Sequence, residues 1–209
     1  CMNLPPAPDA PAEFAVLQLR PMGAREELMQ VDITGDEIDR ALVCSRRALG
    51  NTVSYGIRDV VYVKPDGFDP AKTPVIAKEI GKINARLRRS GRRYLLIGPG
   101  RWGSADRWLG IPLRWEDISG VGAIVEADHP RLRAEPSQGS HFFHNITTMG
   151  IPYLMVTAGQ GGRVDWEWLK RQESTEETAN VATVRLAHPL VLKVDGRKGR
   201  AVVVAKTKA

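Results

Sequence analysis

The feature that most constrains this chain is a strand, helix, strand run between Asp59 and Ile97. DVVYV at 59–63 is β-branched and aromatic, a composition that suits a buried strand. Asp69 then offers a capping oxygen with Pro70 at the first helical position, and Ile76, Ile80, Ile83 and Leu87 recur at helical spacing until Gly91 ends the run. Burying each of those four side chains is worth about 1.5–3 kcal/mol before entropy is charged. RYLLI at 93–97 reads as a second buried strand. Two strands joined by a helix and short connections run parallel, with a right-handed crossover.

The same pattern recurs as strand GAIVEAD (122–128), helix SHFFHNITTM (140–149) and strand IPYLMVT (151–157). ATVRLAH reads as a further short strand, and LVLKV and RAVVVA as a hairpin joined through Asp195, Gly196 and Gly199. The fold class predicted is therefore α/β, a mostly parallel sheet built from two βαβ units with a C-terminal antiparallel hairpin. Between 36 and 49, DEIDRALVCSRRAL fits a short helix, with a strand at ALVCS as the competing reading. VDWEWLKRQ (164–172) predicts a helix capped by Asp165.

Near the start, LPPAPDAPAE is too poor in apolar anchors to pack and reads as an extended linker, as if cut from a longer protein. EFAVLQLR (13–20) alternates as a strand does, placing Phe14, Val16, Gln18 and Arg20 on one face. The expected organisation is a linker and strand over 1–22 and one α/β domain over 23–209.

Composition narrows the function classes. A hydrophobic share of 43% and a charged share of 26% match globular proteins and exclude a disordered or fibrous chain. No run nears the roughly 18–20 apolar residues of a membrane span and no secretory signal opens the chain, so the expected compartment is the cytoplasm. Two cysteines, Cys1 and Cys44, give neither a metal-ligand spacing nor a disulfide framework, and no metal site is expected. A net charge of +6 favours acidic partners. The densest basic cluster, Arg86 to Arg93, falls at a helix C-terminus, where cations complement the dipole by about 0.3–1 kcal/mol each. Without interleaved aromatics it gives no stacking platform, and nucleic acid is not expected as a partner.

Ligands of open parallel sheets collect beyond the carboxyl ends of the strands, and two unusual loops fall there. In GPGRWGSADRWLGIP (98–112), Gly98, Gly100 and Gly103 permit turns whose amides can cradle an oxyanion, with Arg101 and Arg107 as bidentate partners and Ser104 and Asp106 close by. The competing structural reading is a loop held by Trp102 and Trp108 packing inward. Its G-x-G-x-x-G, with Glu126 where a ribose-binding acid would sit, imitates a dinucleotide fingerprint, but Pro99, Gly110 and Pro112 leave no room for the helix that motif needs. In RAEPSQGSHFFHN (133–145), Glu135, Ser137, Gln138 and Ser140 crowd an expected helix N-terminus, where free amides favour anions, or where a serine simply caps the helix. His141 and His144 share a face without a third ligand. Neither a Ser/His/Asp set nor a Walker or kinase motif can be assembled.

EFAVLQLRPM resembles the closing strand of the ATP-grasp domain of phosphoenolpyruvate synthase and pyruvate phosphate dikinase. The resemblance implies that Gln18 and Arg20 lie by the nucleotide phosphates and metal. The segment from DVVYVKPDGFDP through LLIGPGRWGS to EPSQGSHFF resembles the C-terminal extension of phosphoenolpyruvate synthase-like proteins. Together these imply the C-terminal domain of an ATP-dependent phosphotransferase, with ATP and Mg2+ as cofactors of the parent protein and none for this chain alone. The implied partners are the upstream ATP-grasp module and an anionic small molecule. The phosphohistidine segment and the pyruvate-binding barrel of that family have no match here, so the chain by itself is expected to be inactive. Gly98, Gly100, Arg101, Gly103, Ser104, Asp106, Ser137, Gln138 and His141 are the expected ligand-binding residues. The rival reading is a non-catalytic interaction domain, with a homo-oligomer formed through the tryptophan-bearing loops.

Overall fold

A computed structural model describes residues 2–3, 13–14, 30–132, 146 and 149–205. Strand β1 (Met2–Asn3) pairs antiparallel with β2 (Glu13–Phe14). Helix α1 (Gly35–Asp39) leads into β3 (Val43–Ser45), β4 (Arg47–Leu49) and β5 (Asn51–Ser54). Next come β6 (Asp59–Val63), helix α2 (Thr73–Arg89) and β7 (Tyr94–Pro99). The middle of the chain supplies β8 (Arg101–Trp102), β9 (Gly110–Ile111), β10 (Val121–Ala127) and β11 (Tyr153–Val156). The last third supplies β12 (Arg163–Val164), helix α3 (Trp166–Lys170), β13 (Ser174–Glu177), β14 (Val181–Arg185), β15 (Val191–Asp195) and β16 (Arg200–Val204).

These strands form a seven-stranded sheet, ordered β13-β14-β6-β7-β10-β11-β4, and a five-stranded sheet, ordered β12-β3-β16-β15-β5. In the larger sheet β6, β7, β10 and β11 are mutually parallel, β14 and β4 pair antiparallel on either side of them, and β13 pairs antiparallel with β14 at the edge. Alternation divides the central strands between two cores. Val61, Leu96 and Ile124 face α2, where Ile76, Ile80, Ile83 and Leu87 are buried as their spacing requires. Val60, Leu95 and Val125 face the five-stranded sheet, meeting Val43, Val194 and Val203.

The expected mostly parallel α/β class is therefore corrected: the protein is mostly β, with mixed sheets in which antiparallel pairing prevails. Among the described residues the parallel pairs are β6–β7, β7–β10, β10–β11 and the small β8–β9, and every other pair is antiparallel. An all-parallel sheet needs helices on both faces. Here α2 covers one face, and a purely antiparallel sheet together with the short α3 covers the other. The C-terminal hairpin is not an appendage to a parallel sheet but the middle of that second layer, with β16 joined to β3 and β15 to β5.

Several local elements follow their residues closely. Residues 36–49 divide, the first part entering α1 and the rest β3 and β4, so each competing reading holds for part of the segment. Asp165 caps α3 by accepting from the Trp168 amide at 2.8 Å. Asp69 accepts from the Ala71 amide at 2.9 Å ahead of a short 3-10 turn that opens into α2. The basic residues after α2 tie the helix to its surroundings: Arg86 pairs with Glu176, Arg88 donates to Ser119 Oγ at 3.0 Å, and Arg92 pairs with buried Asp59. Arg185 reaches the same carboxylate at 2.9 Å, so one buried acid fixes the starts of β6 and β7 and the end of β14. The hydrogen bond to Asp59 raises the Arg92 pKa above its ordinary value. Cys44 is a buried free thiol. Among the described residues no helix is long and apolar enough to cross a membrane.

Candidate anion-binding site

The carboxyl ends of β7, β10 and β11 open on one side of the seven-stranded sheet, and the glycine-rich loop leaves from the first of them. Gly100 turns the chain with φ +67°, and a Cβ there would come within 2.6 Å of Leu132 Cδ1 and 2.8 Å of Leu109 O. Glycine alone fits both requirements. Trp102 folds back beneath the loop, fully buried, and its indole N–H donates to Val125 O at 3.0 Å. It lies so near Gly98 that a Cβ at that position would sit 2.5 Å from the ring. Trp108 does the opposite and is 60% exposed.

The loop's own hydrogen bonds change how it could hold an anion. The amides of Gly100, Arg101 and Gly103 donate to Ala127 O, Leu109 O and Ile111 O at 2.9, 2.9 and 2.8 Å. The Trp102 amide donates to Glu126 Oε1 at 3.1 Å. A main-chain cradle at these glycines, as anticipated from the sequence, is thus already filled from within. Ser104 Oγ donates to Asp106 O at 3.0 Å and the Asp106 carboxylate accepts from the Trp108 amide at 2.9 Å, closing the outer turn. The dinucleotide reading fails too: β8 lies between Gly100 and Gly103, turns and β9 rather than a helix follow the last glycine, and Glu126 is committed to the Trp102 amide and the Tyr153 hydroxyl.

What remains open is a cavity of about 200 Å3 walled by side chains. Arg101 enters it from β8, Glu126 and Asp128 from the end of β10, Thr157 and Gln160 from beyond β11, and Arg47 from β4. Glu126 is 5% exposed. Arg47 and its neighbour Arg46 make no side-chain ion pair among the described residues. His129 borders the cavity but is occupied: Nδ1 accepts from the Arg131 amide at 3.2 Å, and Nε2 lies 3.3 Å from Pro65 O. The ring packs edge-on against Phe68, with the two ring centres 4.9 Å apart. Among the described residues no group of acids, histidines and cysteines is placed to hold a metal ion.

No family model, curated protein or solved structure matches this chain.

Of the residues expected from the sequence, Gly100 and Arg101 line the cavity, whereas Gly98, Gly103, Ser104 and Asp106 shape the loop without lining it. Ser137, Gln138 and His141, with Glu135, Ser140 and His144, lie outside the described residues, as do Gln18 and Arg20. Arg47, Asp128, Thr157 and Gln160 were not anticipated. The strand-end rule places Asp128 and Thr157 at the right edge once β10 and β11 are recognised. Arg47 carries no such signal, because it arrives by pairing with a strand more than a hundred residues further along: Arg47 opposes Met155 in the antiparallel β4–β11 register.

Proposed function

We propose that this chain binds a small anionic, phosphate-bearing ligand in the cavity at the carboxyl ends of β7, β10 and β11, as the C-terminal domain of a phosphoenolpyruvate synthase-like, ATP-dependent phosphotransferase. The supporting observation is the placement of Arg47 and Arg101 in the wall of one cavity at the edge where ligands of parallel strands gather. Guanidinium is the side chain best matched to a carboxylate or phosphate, and charge-assisted hydrogen bonds from it are about twice as strong as neutral ones. At about 200 Å3 the cavity is smaller than the roughly 300–1,000 Å3 of drug-sized sites. It suits a three- or four-carbon phosphorylated acid better than a whole nucleotide. In this reading ATP and Mg2+ belong to the upstream module of the parent protein, the chain alone transfers no phosphate, and the compartment is the cytoplasm.

An NMR titration with inorganic phosphate and with a small phosphorylated acid tests the proposal. Amide shifts are expected at Arg47, Gly100, Arg101 and Thr157, and Arg101→Ala should weaken binding by roughly 10-fold, corresponding to about 1.4 kcal/mol. A flat titration to millimolar ligand removes it.

One observation favours the interaction-domain alternative, the 60% exposure of Trp108 at the tip of the same loop. Its counterpart Trp102 is buried and takes no part in such a surface. A concentration-dependent dimer in light scattering, abolished by Trp108→Ala, would support that reading; a monomer at every concentration would remove the homo-oligomer.

A further inference from the structure

The outward face of α2 collects the chain's positive charge. Seven of the thirty cationic residues fall in 72–92 against one of the twenty-four acids, so the rest of the chain is balanced at twenty-three of each. Lys78, Lys82, Ala85 and Arg89 follow one another by four, three and four residues, and all four are exposed. That spacing lays them in one line along the helix, on the side opposite buried Ile76, Ile80, Ile83 and Leu87. At 1.5 Å per residue the line from Lys78 to Arg89 is about 16 Å long.

Neighbouring groups leave these charges uncompensated. Lys78, Lys82 and Arg89 make no ion pair among the described residues, nor does exposed Lys72 just before the helix. Glu79, the one acid of α2, turns aside: its Oε2 accepts from Thr178 Oγ1 at 2.8 Å and its Oε1 from Asn180 Nδ2 at 3.1 Å. Arg86 and Arg92 are absorbed by Glu176 and Asp59, whereas Arg88 donates to a neutral hydroxyl and keeps its charge. Complementing the helix dipole accounts for cations in the last turn, not for Lys78 and Lys82.

The surroundings of these cations narrow the partner. A helix that lies in a bilayer surface needs an apolar face free for lipid, and α2 has committed its own to the core. A protein interface needs well-packed anchors at its centre, aromatic above all, and half-exposed Val75 is the one large apolar side chain that α2 turns outward. The lack of interleaved aromatics, which in the sequence speaks against nucleic acid, speaks only against stacked single strands. A duplex presents its phosphates outermost and needs no ring to hold it. It carries one charge per about 1.7 Å of axis, so about ten phosphates lie along the line and the cations meet them in any register.

We propose that the outer face of α2, through Lys78, Lys82 and Arg89, binds duplex nucleic acid by its phosphate backbone, without regard to base sequence. None of these residues lines the cavity, so this surface stands whether or not the cavity takes an anion.

Fluorescence anisotropy with a labelled DNA duplex of roughly two helical turns tests it. Binding is expected at about 50 mM salt, with log K falling against log salt at a slope near −2.7, about −0.9 for each of three phosphates. Lys78→Gln, Lys82→Gln and Arg89→Gln combined should weaken binding by roughly 10-fold or more and flatten the slope. Gln is a good helix former at exposed positions, and far-ultraviolet circular dichroism should be unchanged. Ala85→Lys adds a cation to the middle of the line and should steepen the slope by about 0.9. Arg197→Gln, Lys198→Gln and Arg200→Gln combined remove the same charge from exposed positions at the β15–β16 turn, and should leave binding within about twofold. The duplex site is overturned if the DNA does not bind at low salt, if the α2 triple variant keeps its affinity, or if both triple variants lose it alike. An Ala85→Lys slope equal to that of the unaltered protein overturns it as well, as does tighter binding to a single strand of the same length or to phosphatidylserine vesicles.

Discussion

At the scale of single residues, two glycines of one loop carry different burdens. Gly100 is required by its positive φ, whereas Gly98 is required by what lies against it, since Trp102 occupies the volume a methyl group would need. Gly98→Ala should therefore destabilise the protein by about 1–3 kcal/mol through overpacking, read as a lower urea midpoint at unchanged slope. An unchanged midpoint would mean that Trp102 can leave the pocket beneath the loop at no cost. The spacing of the glycines was visible in the sequence. The direction in which Trp102 turned was not, because Trp102 and Trp108 are equally apolar and six residues apart in the same loop, and only the groove beneath β10 selects one of them. The amides tell a similar story: Gly-x-Gly advertises free N–H groups, yet here Ala127, Leu109 and Ile111 supply the acceptors.

At the scale of elements, short pieces of structure hold through their ends. Helix α1 has a reciprocal capping box, in which Glu37 N–H donates to Thr34 Oγ1 at 3.2 Å and Thr34 N–H donates to Glu37 Oε2 at 3.0 Å. Lys193 of β15 reaches Glu37 at 2.6 Å and Asp32 O at 2.9 Å, stapling the helix to the five-stranded sheet. Burial pushes the Glu37 carboxyl upward, but the hydrogen bonds from Lys193 and the Thr34 amide outweigh it and leave the pKa below its ordinary value of 4.5. A carboxylate depressed in this way adds stability that is fully present above its unfolded pKa and is lost as pH falls through the lower folded value. Stability should therefore decline as pH drops below about 4.5, and Glu37→Gln should make that decline shallower. Parallel stability curves for the two proteins across this range would exclude Glu37 as a source of the pH dependence. Helix α2 is fastened differently, through one buried amide: Asn84 Oδ1 accepts from Tyr94 Oη at 3.1 Å and from Gly120 N at 2.9 Å, while Nδ2 donates to Glu116 O at 3.1 Å. That network ties the helix to β7 and to the turn before β10, the two strands whose far ends build the cavity.

At the scale of the whole molecule, the seven-stranded sheet serves both layers, since alternate residues of β6, β7 and β10 belong to the helix-side core and to the sheet-side core. Neither layer can be removed without exposing one face of the same strands to water. Urea unfolding should accordingly appear as one cooperative transition, with near- and far-ultraviolet circular dichroism coinciding. Two separated transitions would show that the five-stranded sheet unfolds by itself. The same sharing positions the site: the parallel strands end together, the loop after β7 is pinned by Trp102, and β4 brings Arg47 alongside from the opposite direction.

The sequence by itself determined the central run of β6, α2 and β7, because a β-branched strand, a capped amphipathic helix and a second apolar strand each have a local signature. It likewise determined the capped helix α3 and the antiparallel turn between β15 and β16, where Asp195 accepts from the Arg197 and Lys198 amides. Tertiary structure alone decided which layer covers the second face, since strands of three to five residues such as β3, β4 and β5 carry little periodicity and gain their register from partners far along the chain. It also decided the cavity wall: whether an amide is free, or an arginine of β4 reaches the ends of the parallel strands, depends on pairings that no local window of residues contains.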